Sequence, residues 1–198
     1  MTPALAEATG AVGLPVDLLR RVQPSIVRVQ DRGAAGAGGV VWRPGAVVTN
    51  RHVVAGAGRA LHVVSADGRP HATRILDTSR QLDLALLAVD PGDLRPAPLG
   101  RSAGLRVGEL VFAIGHPWGQ PWVVTAGIVS ALDGPPGPDP VGRVRAIRSD
   151  VRLAPGNSGG PLLDVHGDVI GLNAMVIGGD LALAIPVDVV RRWLDRAR

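Results

Sequence analysis

The string Gly156-Asn157-Ser158-Gly159-Gly160-Pro161 has the residue types of a nucleophilic site. Its glycines permit a tight turn that exposes the Ser158 hydroxyl. They also let neighbouring backbone N–H groups point the same way, as an oxyanion site requires. A serine hydroxyl is a weak nucleophile alone, because it needs a histidine to take its proton and an acid to orient that histidine. The string therefore predicts acyl-transfer chemistry wherever the chain supplies both partners.

Two positions supply the best partners for this serine. His52 follows the apolar run Ala46–Thr49, and Asp83 opens the apolar run Leu84–Val89. A carboxylate at the mouth of a buried strand needs a polar partner, which a histidine provides. The order His52, Asp83, Ser158 excludes the α/β-hydrolase fold, in which the serine comes first. It is the order found on the double β-barrel of chymotrypsin-like proteases.

The elements that must hold these residues are short strands. Apolar runs such as Thr73–Leu76 recur from residue 26 to residue 185, separated by turn strings such as His166-Gly167-Asp168. About a dozen runs at this spacing predict an all-β fold. The polar segment Pro91–Gly108 divides them into two barrels, over residues 24–100 and 104–186. A lead-in over residues 1–23, with a short helix, precedes them, and a helix over 187–196 follows.

Composition excludes several classes of protein and site. The 198 residues contain no cysteine, which removes disulfides and thiolate metal sites, and no lysine, which removes a Walker-type phosphate loop. A net charge of +4 with 3% aromatic residues argues against nucleic acid as a partner. No histidine pair has metal-ligand spacing, so neither a metal nor another cofactor is predicted.

The same sequence predicts a location. It has no apolar stretch long enough for a membrane span, and the first 20 residues do not read as a signal peptide. We therefore expect a cytoplasmic location as encoded. A periplasmic or other extracytoplasmic location is the alternative if the chain is a piece of a longer protein.

Seven strings resemble the protease domain of the HtrA (Deg) family of bacterial trypsin-like serine proteases. The resemblance implies a chymotrypsin-like double six-stranded Greek-key β-barrel over residues 24–198, with short terminal helices. It covers the protease domain only, and we expect no PDZ domain here, although members of the family usually carry one or two. The strings are Pro24–Val27, Thr49–Val54, Asp83–Leu86, Gly115–Gly119, Thr125–Ala131, Gly156–Pro161 and Ala184–Pro186.

This resemblance implies a serine endopeptidase acting on unfolded or misfolded protein, in a homo-oligomer that is a trimer. His52 is then the general base, Asp83 its orienting acid and Ser158 the nucleophile. The backbone N–H groups of Gly156, Asn157 and Ser158 form the oxyanion hole. Two alternatives remain: a catalytically weak protease fold kept as a binding or chaperone module, and an esterase using the same three residues.

Two arguments assign the specificity pocket differently. By analogy with digestive enzymes, Arg152 lies at the pocket base and favours acidic residues before the scissile bond. By analogy with HtrA-type enzymes, the matching position is Leu153, and the wall is completed by Leu181, Leu183 and Ala184. Burying an unpaired guanidinium is costly, and adjacent residues of an extended stretch point to opposite sides. The sequence therefore favours Leu153 in the pocket, Arg152 in solvent, and cleavage after Val, Ala, Leu or Ile.

The residue before the nucleophile also predicts how activity is controlled. Asn157 is neutral, so it cannot form the ion pair with a new N-terminus that activates digestive enzymes. We therefore expect no zymogen step. Control is instead predicted to lie in the loops Asp133–Val141 and Asn173–Asp180, where glycines permit motion.

Overall fold

The computed structural model describes residues 16–31, 36–57, 61–133, 146–177 and 181–196, the side chains of 175–177 excepted. Twelve strands in these ranges close into two six-stranded antiparallel barrels, which confirms the predicted fold class. The first barrel has the order β1-β2-β3-β6-β5-β4: β1 (Ile26–Gln30), β2 (Ala37–Arg43), β3 (Ala46–Asn50), β4 (His62–Val64), β5 (Pro70–Ser79) and β6 (Leu84–Val89). The second has the order β10-β11-β12-β9-β8-β7: β7 (Leu110–Gly115), β8 (Val123–Asp133), β9 (Ala146–Ser149), β10 (Pro161–Leu163), β11 (Val169–Ile177) and β12 (Leu181–Pro186).

Side-chain alternation along these strands builds three apolar clusters. In β3, Val47 packs inside the first barrel while Val48 packs in the cluster between the barrels. In β7, Ala113 packs inside the second barrel while Ile114 packs between the barrels. Both faces of these strands are therefore buried, because one side chain in two points inward and the next points at the other barrel. This packing holds the barrels against each other along the seam where the candidate site lies.

Short helices pack against these clusters. Residues 16–22 are helical, Arg51–Val54 form a single turn after β3, and Val187–Arg196 form a longer helix after β12. Leu18, Val22, Val190 and Leu194 are buried in the cluster between the barrels. Within the ranges the structure describes, no helix is long and apolar enough to cross a membrane.

The segment between the barrels is tied to the longer helix through Asp188. Its carboxylate accepts the Ser102 N–H and hydroxyl at 2.9 Å each and the Ala103 N–H at 2.8 Å, and it pairs with Arg191 at 2.7 Å. Burial opposes its ionisation, but the hydrogen bonds outweigh burial and lower the pKa of Asp188 below its ordinary value. This ionised side chain fixes the path of the connecting segment across the second barrel.

Candidate active site

Antiparallel pairing brings His52 and Asp83 together. Asn50, at the end of β3, pairs with Leu84, at the start of β6. The residue that follows one strand therefore lies beside the residue that precedes the other. The Arg51 N–H donates to the Asp83 carbonyl at 3.0 Å, and the Asn50 side chain donates to the same oxygen at 3.1 Å. The turn that carries His52 is thus tied to Asp83, the residue that precedes β6.

The Asp83 carboxylate holds His52 through two further contacts. One oxygen accepts the backbone N–H of His52 at 3.0 Å, and the other lies 2.6 Å from its Nδ1. An ionised carboxylate can only accept, so this contact places a proton on Nδ1 and leaves Nε2 as an acceptor. Asp83 has φ +52°, a conformation that aspartate tolerates better than most residues. The His52 side chain is 46% exposed and that of Asp83 28%, so the imidazole faces an open cleft while its partner lies deeper.

The Ser158 turn lies against both barrels. Gly38 of β2 donates its N–H to the Ser158 carbonyl at 2.7 Å, and Gly159 donates to the Asn173 carbonyl of β11 at 2.8 Å. Gly159 has φ +77°, and a Cβ there would collide with the Gly38 carbonyl and the Thr49 hydroxyl. Only glycine therefore lets the turn approach the first barrel this closely.

The Ser158 hydroxyl lies in the same cavity as His52 and Asp83, but its hydrogen bond goes elsewhere. It donates to the backbone carbonyl of Ala174 at 3.0 Å. Among the residues that the structure describes, no hydrogen bond joins it to His52. Contacts of this kind are often loose in the absence of substrate and tighten when substrate binds.

The backbone amides around Ser158 differ in availability. The Asn157 N–H donates to the Ala154 carbonyl at 3.0 Å, so it is already used. The N–H groups of Gly156 and Ser158 have no hydrogen-bond partner within the described ranges. Gly156 has φ +108°, and a Cβ there would collide with the His116 carbonyl. The predicted oxyanion set of Gly156, Asn157 and Ser158 therefore reduces to two candidates, because a backbone N–H that is already bonded cannot also bind an oxyanion.

A cavity of about 700 Å³ opens beside Ser158. The second barrel lines it with Leu153, Ala154, Pro155 and Ala174, and the first with Arg51, His52, Arg80 and Asp83. Leu153, predicted to form the specificity pocket, lines this cavity, and Arg152 is exposed.

The other predicted wall residues, Leu181, Leu183 and Ala184, do not line this cavity. Ala184 is 2% exposed inside the second barrel, and Leu183 packs on the cluster between the barrels. All three belong to β12, on which Leu183 faces the cluster between the barrels and Ala184 the cluster inside the second barrel. The sequence missed Ala174, which joins the cavity because β11 pairs with the Ser158 turn.

A second cavity of about 380 Å³ lies on the other side of Ser158. It shares His52, Pro155 and Ser158 with the first and adds Ala37 and Trp118, among others. Trp118 is 74% exposed and has φ +52°. The two cavities adjoin at Ser158 and together form a cleft beside it.

His116 supports the Ser158 turn from beneath. Its backbone N–H donates to the Gly156 carbonyl at 3.2 Å, and its ring contacts the edge of Trp122 at a centroid distance of 5.0 Å. The side chain is 3% exposed, and Nδ1 has no hydrogen-bond partner in the described part of the chain. Burial, with a smaller contribution from the positive charge of Arg28, lowers the pKa of His116 to about 4. His116 is therefore neutral near pH 7.

Residues 36–172 match the family of the trypsin-like peptidase domain. The "Probable periplasmic serine endoprotease DegP-like" of Hahella chejuensis is 42% identical over 165 residues, which are 81% of this chain and 34% of that protein. "Serine protease HTRA1A" of Danio rerio is 36% identical over 194 residues, 90% of this chain and 40% of that protein. The chain thus spans about a third of the length of such curated relatives.

Solved structures match as well. The serine endoprotease of Yersinia pestis superposes with a TM-score of 0.80 at 28% identity, covering 92% of this chain and 65% of that one. An HtrA-type protease with a tripeptide superposes with a TM-score of 0.78 at 30% identity, covering 91% of this chain and 62% of that one. At these values the likeness extends through both barrels.

The cytoplasmic location expected from the sequence is wrong. Relatives from Hahella chejuensis, Halomonas elongata and a Marinomonas species are all named as periplasmic. That expectation used the first 20 residues, of which 1–15 lie outside the described residues.

Taken together, the family match, the relatives and the solved structures agree with one another and with the two barrels. The expected resemblance is confirmed: this chain carries a trypsin-like serine peptidase domain and belongs to the HtrA/DegP family.

Proposed function

We infer that this chain is a serine endopeptidase in which His52, Asp83 and Ser158 act as a catalytic triad. The 2.6 Å contact between His52 Nδ1 and Asp83, in a cavity shared with Ser158, carries the proposal. The family of the chain supports it, because its relatives are named serine endoproteases. The domain extends over residues 24–198.

The first step is attack by the serine. When substrate enters, the Ser158 hydroxyl turns from the Ala174 carbonyl toward His52 Nε2, which takes its proton as Oγ bonds to the substrate carbonyl carbon. Negative charge then develops on the carbonyl oxygen. The N–H groups of Gly156 and Ser158 stabilise that charge, because they are preorganised and otherwise unpaired.

The second step is collapse to an acyl-enzyme. His52 donates the proton to the leaving amine, and the C–N bond breaks. Water then attacks the ester carbonyl with His52 again as base, which releases the acid and restores the serine. Asp83 stays ionised throughout and stabilises the imidazolium through its two contacts with His52.

The side chain before the scissile bond enters the apolar part of the 700 Å³ cavity, against Leu153, Ala154 and Ala174. This wall suits Val, Ala, Leu or Ile. Arg152 is exposed and takes no part in it. Cleavage after aliphatic residues follows from the desolvation of these side chains in an apolar pocket.

The substrates are unfolded or misfolded proteins. An open cleft accepts an extended chain, and aliphatic side chains become accessible when a protein loses its fold. We extend to this chain the periplasmic location named for its bacterial relatives. The trimer implied by the family resemblance and the absence of a zymogen step also stay predictions. Of the two proposed control loops, residues 134–141 and 178–180 lie outside the described residues, and residues 173–177 belong to strand β11 rather than to a loop, because they pair with β12.

One experiment tests the activity against both alternatives. A fluorophosphonate should label wild type and not Ser158→Ala, and wild type should cut unfolded casein while Ser158→Ala does not. Mass spectrometry of the digest then gives the residue before each cut. Hydrolysis of a nitrophenyl ester without cleavage of casein would favour an esterase. Binding of casein with no labelling would favour a binding module.

A further inference from the structure

We propose that Arg51 and Arg80 select substrates that carry an acidic side chain shortly before the scissile bond. The proposal rests on the function inferred above and specifies its substrate class. Both arginines line the 700 Å³ cavity that also contains Ser158 and the apolar wall at Leu153. The cavity therefore presents positive charge next to an apolar surface.

These two guanidinium groups lack the partners that several other arginines have. Arg69, Arg148 and Arg191 each form an ion pair of 3.0 Å or less with an aspartate. Among the described residues, the side chains of Arg51 and Arg80 form no ion pair and no hydrogen bond. Two unpaired cations in one cavity form a receptor for a carboxylate, because a guanidinium can bind one through two parallel hydrogen bonds.

The carboxylate already in the cavity does not neutralise them. Asp83 uses one carboxylate oxygen for the His52 N–H and the other for His52 Nδ1. With neutral His52, the ionised groups lining the cavity are two arginines and one aspartate, so a net positive charge remains. An acidic substrate side chain would be attracted by this charge, whereas a basic one would be repelled.

The placement of the two arginines predicts which side of the scissile bond they contact. The smaller cavity on the other side of Ser158 has no arginine among its described lining residues and includes Asp31. Since the residue before the scissile bond fills the apolar wall at Leu153, residues that share this cavity precede that bond. Successive residues of an extended peptide are about 3.3 Å apart and point to opposite sides. The acidic side chain is therefore expected at the second or third residue before the scissile bond.

The size of the effect follows from solvent access. Arg80 is exposed and Arg51 is partly buried, so the charge pairs are screened by water. Pairs at exposed sites are weak, and charge-assisted hydrogen bonds in sheltered clefts are stronger. We expect a preference of roughly five- to tenfold for an acidic over an isosteric neutral residue. The preference should decrease as salt is raised, because salt screens exposed charges.

Matched peptides test the proposal. Each contains one aliphatic cleavage residue, with either Asp or Asn at the second or third residue before the scissile bond. The readout is the ratio of kcat/KM for the Asp peptide to that for the Asn peptide, measured at low salt. Wild type should prefer Asp at one of the two positions, Arg51→Gln and Arg80→Gln should each lower the ratio, and the double variant should bring it close to one.

Two further variants distinguish binding at the two arginines from a general effect of the positive charge of the protein. Arg74→Gln removes a positive charge from the exposed face of β5, outside the cavity, and should leave the ratio unchanged. Arg80→Lys keeps the charge but not the planar donor set, so it should retain part of the preference. Equal rates for the two peptides in wild type, or a preference that survives in the double variant, would overturn the proposal.

The design separates this proposal from the proposed function. Cleavage of the Asn peptide by wild type and not by Ser158→Ala tests the activity alone. If neither peptide is cut, fluorescence anisotropy with labelled peptides on Ser158→Ala measures binding directly. Tighter binding of the Asp peptide, lost on Arg51→Gln/Arg80→Gln, would support the arginine site without the activity. Equal binding of the two peptides would reject it.

Discussion

The two barrels contribute to the site in different ways. The first supplies His52 and Asp83 from the ends of two paired strands, where two backbone-anchored contacts and two carboxylate contacts join the segments. The second supplies Ser158 from a turn whose shape depends on glycines with positive φ. One half is therefore set by strand pairing, and the other by the absence of side chains at Gly156 and Gly159.

This difference divides the chemistry as well. The proposed acid–base pair is joined at 2.6 Å, whereas the Ser158 hydroxyl bonds to the Ala174 carbonyl. In the proposed mechanism the first-barrel half is thus preorganised, and the second-barrel half must redirect the Ser158 hydroxyl before it can react. Substitutions in the two halves should therefore differ in what they damage. Substitutions of His52 or Asp83 should mainly reduce the rate of catalysis. Substitutions that alter the Ser158 turn should also lower the free energy of unfolding.

The largest effect is expected for the nucleophile. Ser158→Ala removes the proposed nucleophile, so kcat on casein should fall by about 10⁶-fold, as for other serine proteases. The fold should persist, because the change deletes one hydroxyl and one hydrogen bond. Circular dichroism and thermal unfolding check the fold of the variant. Turnover close to wild type in a folded Ser158→Ala protein would contradict the assignment.

The next effect concerns the acid of the first barrel. Asp83→Asn keeps the shape of the side chain but allows its amide to donate to Nδ1, which favours the wrong tautomer of His52. We expect kcat to fall by roughly 10⁴-fold. Steady-state kinetics measure the loss. Labelling by a fluorophosphonate should slow in parallel, because the same base activates Ser158. A loss below tenfold would mean that Asp83 does not orient His52.

A pair of glycine substitutions tests the second half. Gly159→Ala places a Cβ against the Gly38 carbonyl and the Thr49 hydroxyl at φ +77°, whereas Gly68→Ala, at φ +86°, meets no atom within 4 Å. We expect a loss of about 4 kcal/mol for Gly159→Ala and about 1 kcal/mol for Gly68→Ala. Urea unfolding measures both. Equal losses would show that backbone conformation alone, not the close approach of the barrels, requires Gly159.

The fold class could be predicted from the sequence because the strands have a two-residue periodicity and are separated by recognisable turn strings. Each short apolar run could be assigned to a strand because alternation and its interruptions are local signals. The extent of β5 could not be predicted in this way. The run Thr73–Leu76 is only the centre of Pro70–Ser79, whose ends are held by pairing with β4 and β6. Such pairing is a property of neighbours distant in sequence.

The candidate site was accessible only in part. His52, Asp83 and Ser158 carry recognisable neighbours in sequence, and the structure brings them to one cavity. Leu181, Leu183 and Ala184, which the sequence assigned to the pocket wall, do not line this cavity. An apolar residue on a strand has two faces available, and Leu183 and Ala184 of β12 face the two packed clusters. The sequence could not predict that Ala174 and Arg80 line the cavity, because neither position differs locally from an ordinary strand or turn residue.

The smallest expected effect concerns pH and the support beneath the Ser158 turn. Burial lowers the pKa of His116 from 6.5 to about 4, so between these values the unfolded chain binds a proton that the folded chain does not. The contribution of neutral His116 to the free energy of unfolding is therefore fully present above pH 6.5. It is lost as the pH falls toward 4, and the total loss is about 3 kcal/mol. Urea unfolding at a series of pH values measures the loss.

Two variants assign that pH dependence to His116. His116→Phe keeps an aromatic ring against Trp122 but cannot be protonated, so it should lack the part of the slope between pH 4 and 6.5 that this residue contributes. His166→Gln changes an exposed histidine on a turn and should keep the wild-type slope. The backbone N–H of His116 donates to the Gly156 carbonyl, so we expect protonation of this buried residue to weaken the half of the site that is held by glycines rather than by strand pairing. If the stability of His116→Phe still decreased between pH 6.5 and 4 as much as that of wild type, another group would be responsible. Low pH would then not act selectively on the half of the site that contains Ser158.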